Sequence, residues 1–154
     1  MATKKSSNTC LNLIVEKQNS VFLDNATESE VTFVAGTTGA IGTTKIADVT
    51  GAVAVQLFAV CSTNLAGASA TIEVGTATNT AGLIAQTTAT DIDANEIWHD
   101  ASPDATIELT SIATQKIVTE DINYKIATAA ISAGVVTFYI RWSPISSDGN
   151  LTLA

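Results

Sequence analysis

The chain has 154 residues, of which 24 are Thr, 24 are Ala and only 22 are charged. That length makes one ordinary domain with room for a buried core. The net charge of −8 leaves seven scattered bases (Lys4, Lys5, Lys17, Lys45, Lys116, Lys125 and Arg141), which excludes the basic stripe that a nucleic-acid backbone needs. A hydrophobic fraction of 46% and a mean hydropathy of +0.30 are high for a monomer. No run approaches the roughly 18 apolar residues of a membrane span, so the apolar excess predicts burial between subunits.

Residues 1–29 read as an N-terminal arm or a first hairpin. Met1–Cys10 is polar and has no apolar h-region behind its two lysines, which predicts no secretory signal and cytoplasmic synthesis. Leu11, Leu13, Ile14 and Val15 form one apolar patch, and Val21 and Phe22 begin a second. Such an arm would lie across its own domain or reach a neighbour, and these six residues are candidate interface residues.

Residues 30–154 carry mostly strand signals. Thr is stiff at its first side-chain torsion and favours pleated backbone. Val31–Ala35 is short and β-branched, and Gly36, Gly39 and Gly42 follow as turn residues. Lys45–Thr50 is a second segment. Ala52–Cys61 is the longest apolar run, broken only by Gln56. Continuous apolar character predicts a strand buried on both faces. Ala70–Val74 and Leu83–Thr90 follow. Asp91–Trp98 has the composition of a single capped helical turn.

Thr106–Leu109, Lys116–Thr119 and Asn123–Thr128 are further short strands. Val135–Trp142 alternates cleanly, with Val136, Phe138, Ile140 and Trp142 on one face and Thr137, Tyr139 and Arg141 on the other. Tyr139 and Arg141 are therefore candidate exposed or interface residues. Pro144 ends the ladder. The sum is an all-β chain: an antiparallel β-sandwich or jelly roll of eight to ten short strands, preceded by an arm. Strand count alone leaves jelly-roll and immunoglobulin-like orders open.

No set of residues spells out a catalytic centre. Asp91, Asp93 and Asn95 match the start of a calcium loop, but Glu96 replaces its turn glycine and Ser102 its final Glu. His99 is the sole histidine, and its neighbour Asp100 would point to the opposite face of a strand. Cys10 and Cys61 lack metal or disulfide spacing, and Cys61 reads as a small buried hydrophobe. The aromatics Trp98, Tyr124, Phe138, Tyr139 and Trp142 could make a sugar-stacking platform. No cofactor is expected.

Two stretches carry a family likeness. They are Leu83–Asp91 running into Glu96-Ile-Trp-His-Asp100, and Phe138-Tyr-Ile-Arg-Trp142-Ser-Pro144 running into Asp148-Gly149-Asn150. Together they resemble small β-sandwich virion proteins of tailed bacteriophages, over residues 50–150. The resemblance implies a non-enzymatic structural protein, foremost a capsid decoration or cement protein that bridges major-capsid subunits on the head surface. It also implies a small homo-oligomer, with a trimer favoured, and an arm that engages the shell or a neighbouring copy by strand addition. The alternatives are a tail, neck or head-fibre component of the virion, or a carbohydrate-binding module.

Overall fold

The computed structural model describes residues 25–103, 105–109 and 114–154. The expected interface residues Leu11, Leu13, Ile14, Val15, Val21 and Phe22, together with Cys10, lie outside them. The described residues form ten strands: β1 (Asn25–Thr32), β2 (Gly42–Thr50), β3 (Val53–Ala66), β4 (Thr71–Gly75), β5 (Ile84–Thr88), β6 (Ile97–Trp98), β7 (Lys116–Val118), β8 (Ile122–Ala127), β9 (Ala133–Pro144) and β10 (Asn150–Leu153). β1 starts ahead of the arm boundary expected at residue 29.

All strand pairs are antiparallel, and they nest. β1 pairs β9, β2 pairs β8, β3 pairs both β7 and β6, and β4 pairs β5. Nesting of this kind belongs to one long two-stranded ribbon with its tip at the β4–β5 hairpin. Wound over itself, the ribbon deals its pairs alternately into two sheets. Sheet one has the order β1-β9-β3, with β6 and β7 sharing the far edge of β3, and sheet two has the order β10-β2-β8-β4-β5. This is the jelly-roll order, the one of the two open alternatives that the chain adopts.

The inner faces of the two sheets close a single core. Val136, Phe138 and Ile140 of β9 meet Ile122, Tyr124 and Ile126 of β8, and all six are buried. The rings of Tyr124 and Phe138 stack across the sandwich with centroids 6.1 Å apart, and Phe33 packs edge-on to Tyr124 at 5.6 Å. The Tyr124 hydroxyl donates to the Thr38 carbonyl at 2.8 Å, so the buried ring keeps its polar end satisfied. Burial pushes the Tyr124 hydroxyl pKa up.

One side of the sandwich brings β6 and β7 over β5. The Trp98 Nε1–H donates to Thr87 Oγ1 at 2.8 Å, and the Lys116 ammonium donates to the Gly82 carbonyl at 2.6 Å. At the opposite side, β1 ends sheet one and β10 ends sheet two among the described residues.

Three sequence expectations change. Asp91–Trp98 forms no helical turn. A single 3₁₀ turn, Ala89–Asp91, precedes it, and Ile97–Trp98 is β6. Asn95 takes a left-handed backbone with φ of 72°, and the Glu96 carboxylate accepts from the Asp93 N–H at 2.8 Å. The Glu96 contact is the reach-back of a capping residue, as the sequence suggests, but the left-handed Asn95 stops any helix there and turns the segment into a corner. Thr106–Leu109 is not a strand: Ile107 and Leu109 stand 88% and 73% exposed, and among the described residues this segment joins no ladder. β3 is buried on one face only, and its other face becomes the candidate site.

Candidate interaction face

Antiparallel partners point to the same side of a sheet, so the register fixes what each outer face presents. On sheet one, Phe58 of β3 lies beside Tyr139 of β9, which lies beside Glu28 of β1. The next row reads Ile97, Val60, Thr137, Glu30 across β6, β3, β9 and β1. On the other side of the first row, Gln56 pairs with Arg141, which pairs with Ala26. Ile117 of β7 completes the surface beside Ala54 and is 68% exposed.

The centre of this face is a ring pair. Phe58 and Tyr139 stack with centroids 5.3 Å apart and planes within 18°. Both rings are half-buried, as are Val60, Ile97, Val135 and Thr137 around them. Glu28, Glu30 and Arg141 are exposed at the margin. An aromatic centre, an aliphatic surround and a charged rim are the anatomy of a protein–protein contact.

The outer face of sheet two is different. Lys45 bridges Asp48 at 2.6 Å and Asp121 at 2.7 Å, while Lys125 meets Glu73 at 3.4 Å. Gln86 donates to the same Glu73 carboxylate at 3.3 Å. The Lys45 hydrogen bond, and then the Val49 backbone N–H, hold the Asp121 carboxyl below its ordinary pKa. The two aspartates in turn push the Lys45 ammonium well above its usual range. That face satisfies its own charges, which is how a solvated surface behaves.

The expected sites are now placed. Tyr139 and Arg141 lie on the outer face of sheet one, as the alternation of β9 predicts. Trp98, Tyr124 and Phe138 are core residues, so the five-aromatic sugar platform does not assemble. The acidic corner spends its groups locally: Asn64 donates to the Asp93 carboxylate at 2.6 Å, and Asp100 accepts from the Ser102 N–H at 2.7 Å. Among the described residues no group of three His, Cys, Asp or Glu side chains converges on a metal position. Cys61 is buried, its thiol pKa is raised by burial, and it donates to the Thr63 carbonyl at 3.1 Å.

A cleft of about 380 Å³ opens between the β6–β7 edge and β5, lined in part by Leu57, Leu83, His99, Asp100, Thr114 and Lys116. His99 and Asp100 do meet, with Nδ1 to carboxylate at 3.8 Å, and Glu108 lies 3.7 Å from Nε2. The expectation of opposite faces does not hold because His99 follows the end of β6 and is not itself in a ladder. Among the described residues, the cleft lining contains neither serine nor cysteine.

Sequence reasoning missed Phe58, Val60 and Ile97 as surface residues. For Phe58 and Val60 the signal was present in the apolar run of β3, broken only by Gln56, but it read as core on both sides. No family model, curated protein or solved structure matches the chain.

Proposed function

We propose that this chain is a structural protein of a tailed-bacteriophage virion, acting as a decoration or cement protein on the outer surface of the head. It works without a catalytic step. Its partner is the major capsid protein, which meets the outer face of sheet one. Copies assemble as small homo-oligomers, a trimer first among them, at symmetric points of the lattice.

The observation that carries this reading is β3. Its sequence is that of a strand buried on both faces, yet the domain covers only one of them, leaving Phe58 and Val60 half-buried on the other. A strand written for two-sided burial and given one-sided cover fits a surface that a partner completes. The phage resemblance and the jelly-roll fold, one used by viral shell proteins, point the same way. The fold by itself assigns no role. Multiple weak contacts per oligomer would add through effective concentration.

The test is quantitative mass spectrometry and cryo-electron microscopy of intact particles. A decoration protein is present at on the order of hundreds of copies, as lattice symmetry demands, with the Phe58–Tyr139 face turned to the shell. A handful of copies at a neck or tail vertex would replace the reading with a tail or neck component. Absence from the particle would end both.

A further inference from the structure

One end of the sandwich is closed by three neighbouring connections. Residues 33–41 lead from β1 in sheet one to β2 in sheet two, leaving at the Thr32–Val135 pair and arriving at the Gly42–Ile126 pair. Residues 128–132 join β8 to β9 beside them, and the Ile131 N–H donates to the Gly39 carbonyl at 2.9 Å. Residues 67–70 join β3 to β4, and the Ser132 N–H donates to the Ala66 carbonyl at 2.6 Å. In a chain of net charge −8, the stretches 31–44, 65–71 and 126–140 contain no Asp, Glu, Lys, Arg or His.

The first connection displays two aliphatic side chains to water: Val34 is 51% exposed and Ile41 is 61% exposed. Its backbone is pinned. The Val34 carbonyl accepts from the Thr37 and Gly39 N–H groups at 3.1 and 3.0 Å. The Val34 N–H donates to the Thr38 hydroxyl at 3.1 Å, and that hydroxyl donates to the Thr32 carbonyl at 2.6 Å. The Tyr124 hydroxyl ties the Thr38 carbonyl to the core, and Gly39 closes against the Ile131 carbonyl with no room for a side chain. A connection held this firmly loses little further entropy when its apolar side chains are covered.

We infer that this end is where copies of the chain meet, with Val34 and Ile41 at the centre of the contact. Around a closed symmetry axis a patch meets its own image, so it must be self-complementary. Neutral aliphatic surface meets that condition, and acidic surface repels its image. The outer face of sheet two carries Asp48, Glu73 and Asp121, the margin of sheet one carries Glu28 and Glu30, and the acidic corner carries Asp91 and Asp93. Copies that approach through the neutral end do not set those acids against each other. A basic partner would be drawn to the acids instead, so the occupant of the neutral end is a second copy. This inference rests on the homo-oligomer part of the reading above, to which it gives a surface, and stands apart from the virion role.

The experiment is sedimentation equilibrium of the purified full chain over a range of concentrations, without particles, so that it can fail while the virion role stands. The wild type is expected to self-associate. Val34→Asp and Ile41→Asp should each weaken that association about tenfold or more, with unchanged thermal melts because both positions face water. Asn150→Asp adds the same charge at the opposite end of β2 and should associate as wild type. Tyr139→Ala, on the outer face of sheet one, should do so too. A wild type that stays monomeric up to about 1 mM, the weak end of the affinity scale, would overturn the inference. So would association that survives both aspartates, or that is lost with Tyr139→Ala.

Discussion

Tyr139→Ala separates an interface from a merely apolar surface. Within the domain, the substitution removes one ring of the 5.3 Å stack with Phe58 and leaves the core under β9 untouched. A cross-strand aromatic pair contributes about 0.5–1.5 kcal/mol beyond its area. Together with the half-burial lost, unfolding should become easier by about 1–2 kcal/mol. For a domain of this size that lowers Tm by about 3–8 °C and leaves the fold intact. If the face is a contact centre, Tyr139 behaves as a hot spot, and truncation weakens each contact by about 2 kcal/mol or more, near 30-fold in Kd. The assay adds purified variant to particles lacking the protein and measures co-sedimentation, with calorimetry in parallel. Asn123→Ala, on the polar face of sheet two, is the control and should bind as wild type. Tyr139→Ala that melts as expected yet binds particles with unchanged affinity would refute the assignment of this face.

Thr87 is 2% exposed, accepts from the Trp98 indole at 2.8 Å and donates to the Asp100 carbonyl at 3.0 Å. Thr87→Val keeps the shape and orphans both groups, and urea denaturation should show a loss of about 2–5 kcal/mol against less than about 1 for Thr87→Ser. Gly39→Ala would drive a methyl into the Ile131 carbonyl oxygen, backbone that cannot swing aside; soluble yield and thermal melts should both fall sharply. Stability should also vary with pH at both ends. Asp121, Glu120 and Asp148 have carboxyls held below their ordinary range, by the Lys45, Thr78 and Ser146 hydrogen bonds respectively. Their contribution is complete above the unfolded carboxylate values near 4 and is lost as pH falls through the lower folded ones. Lys45 has the opposite sign: its contribution is complete below the ordinary lysine value of 10.5 and is lost as pH rises through the higher folded value. A Tm profile of Asp121→Asn should be flatter than wild type on both limbs, and an unchanged profile would count against the Lys45–Asp121 pair.

Local chemistry made much of this fold readable. Val135–Trp142 alternates because one face of β9 meets the core and the other does not, and the structure places Tyr139 and Arg141 as that rule requires. The turn at Ser146–Gly149 and the end of β9 at Pro144 follow from residues that cannot continue a ladder. What stayed hidden is non-local. Nothing in the residues of β6 says that Ile97–Trp98 will pair Ala59–Val60, and a two-residue strand is too short for any period to show. The ring pair of the candidate site is equally non-local: Phe58 and Tyr139 are 81 positions apart, a difference taken directly from the numbering, and only the β3–β9 register joins them. The jelly-roll order itself is a statement about pairing, which composition cannot encode.

The misread strand is the most informative part of the chain. A central strand with both faces apolar normally means two covering layers. Here the ribbon winding sets two layers in total, so one face of β3 must be outermost whatever its residues are. Selection for folding alone would leave polar side chains there, as on sheet two, where Lys45, Asp48, Asp121 and Lys125 close their own ion pairs. Instead sheet one keeps Phe58, Val60, Ile97 and Tyr139 outermost, with cross-strand stacking holding the rings in place before any partner arrives. Fixed aromatic rings lose little conformational entropy on binding, so more of the contact energy remains as affinity. In the role proposed above, a two-layer sandwich with one self-satisfied face and one preorganised apolar face would turn the apolar face to the lattice, and the asymmetry between its faces would set its orientation.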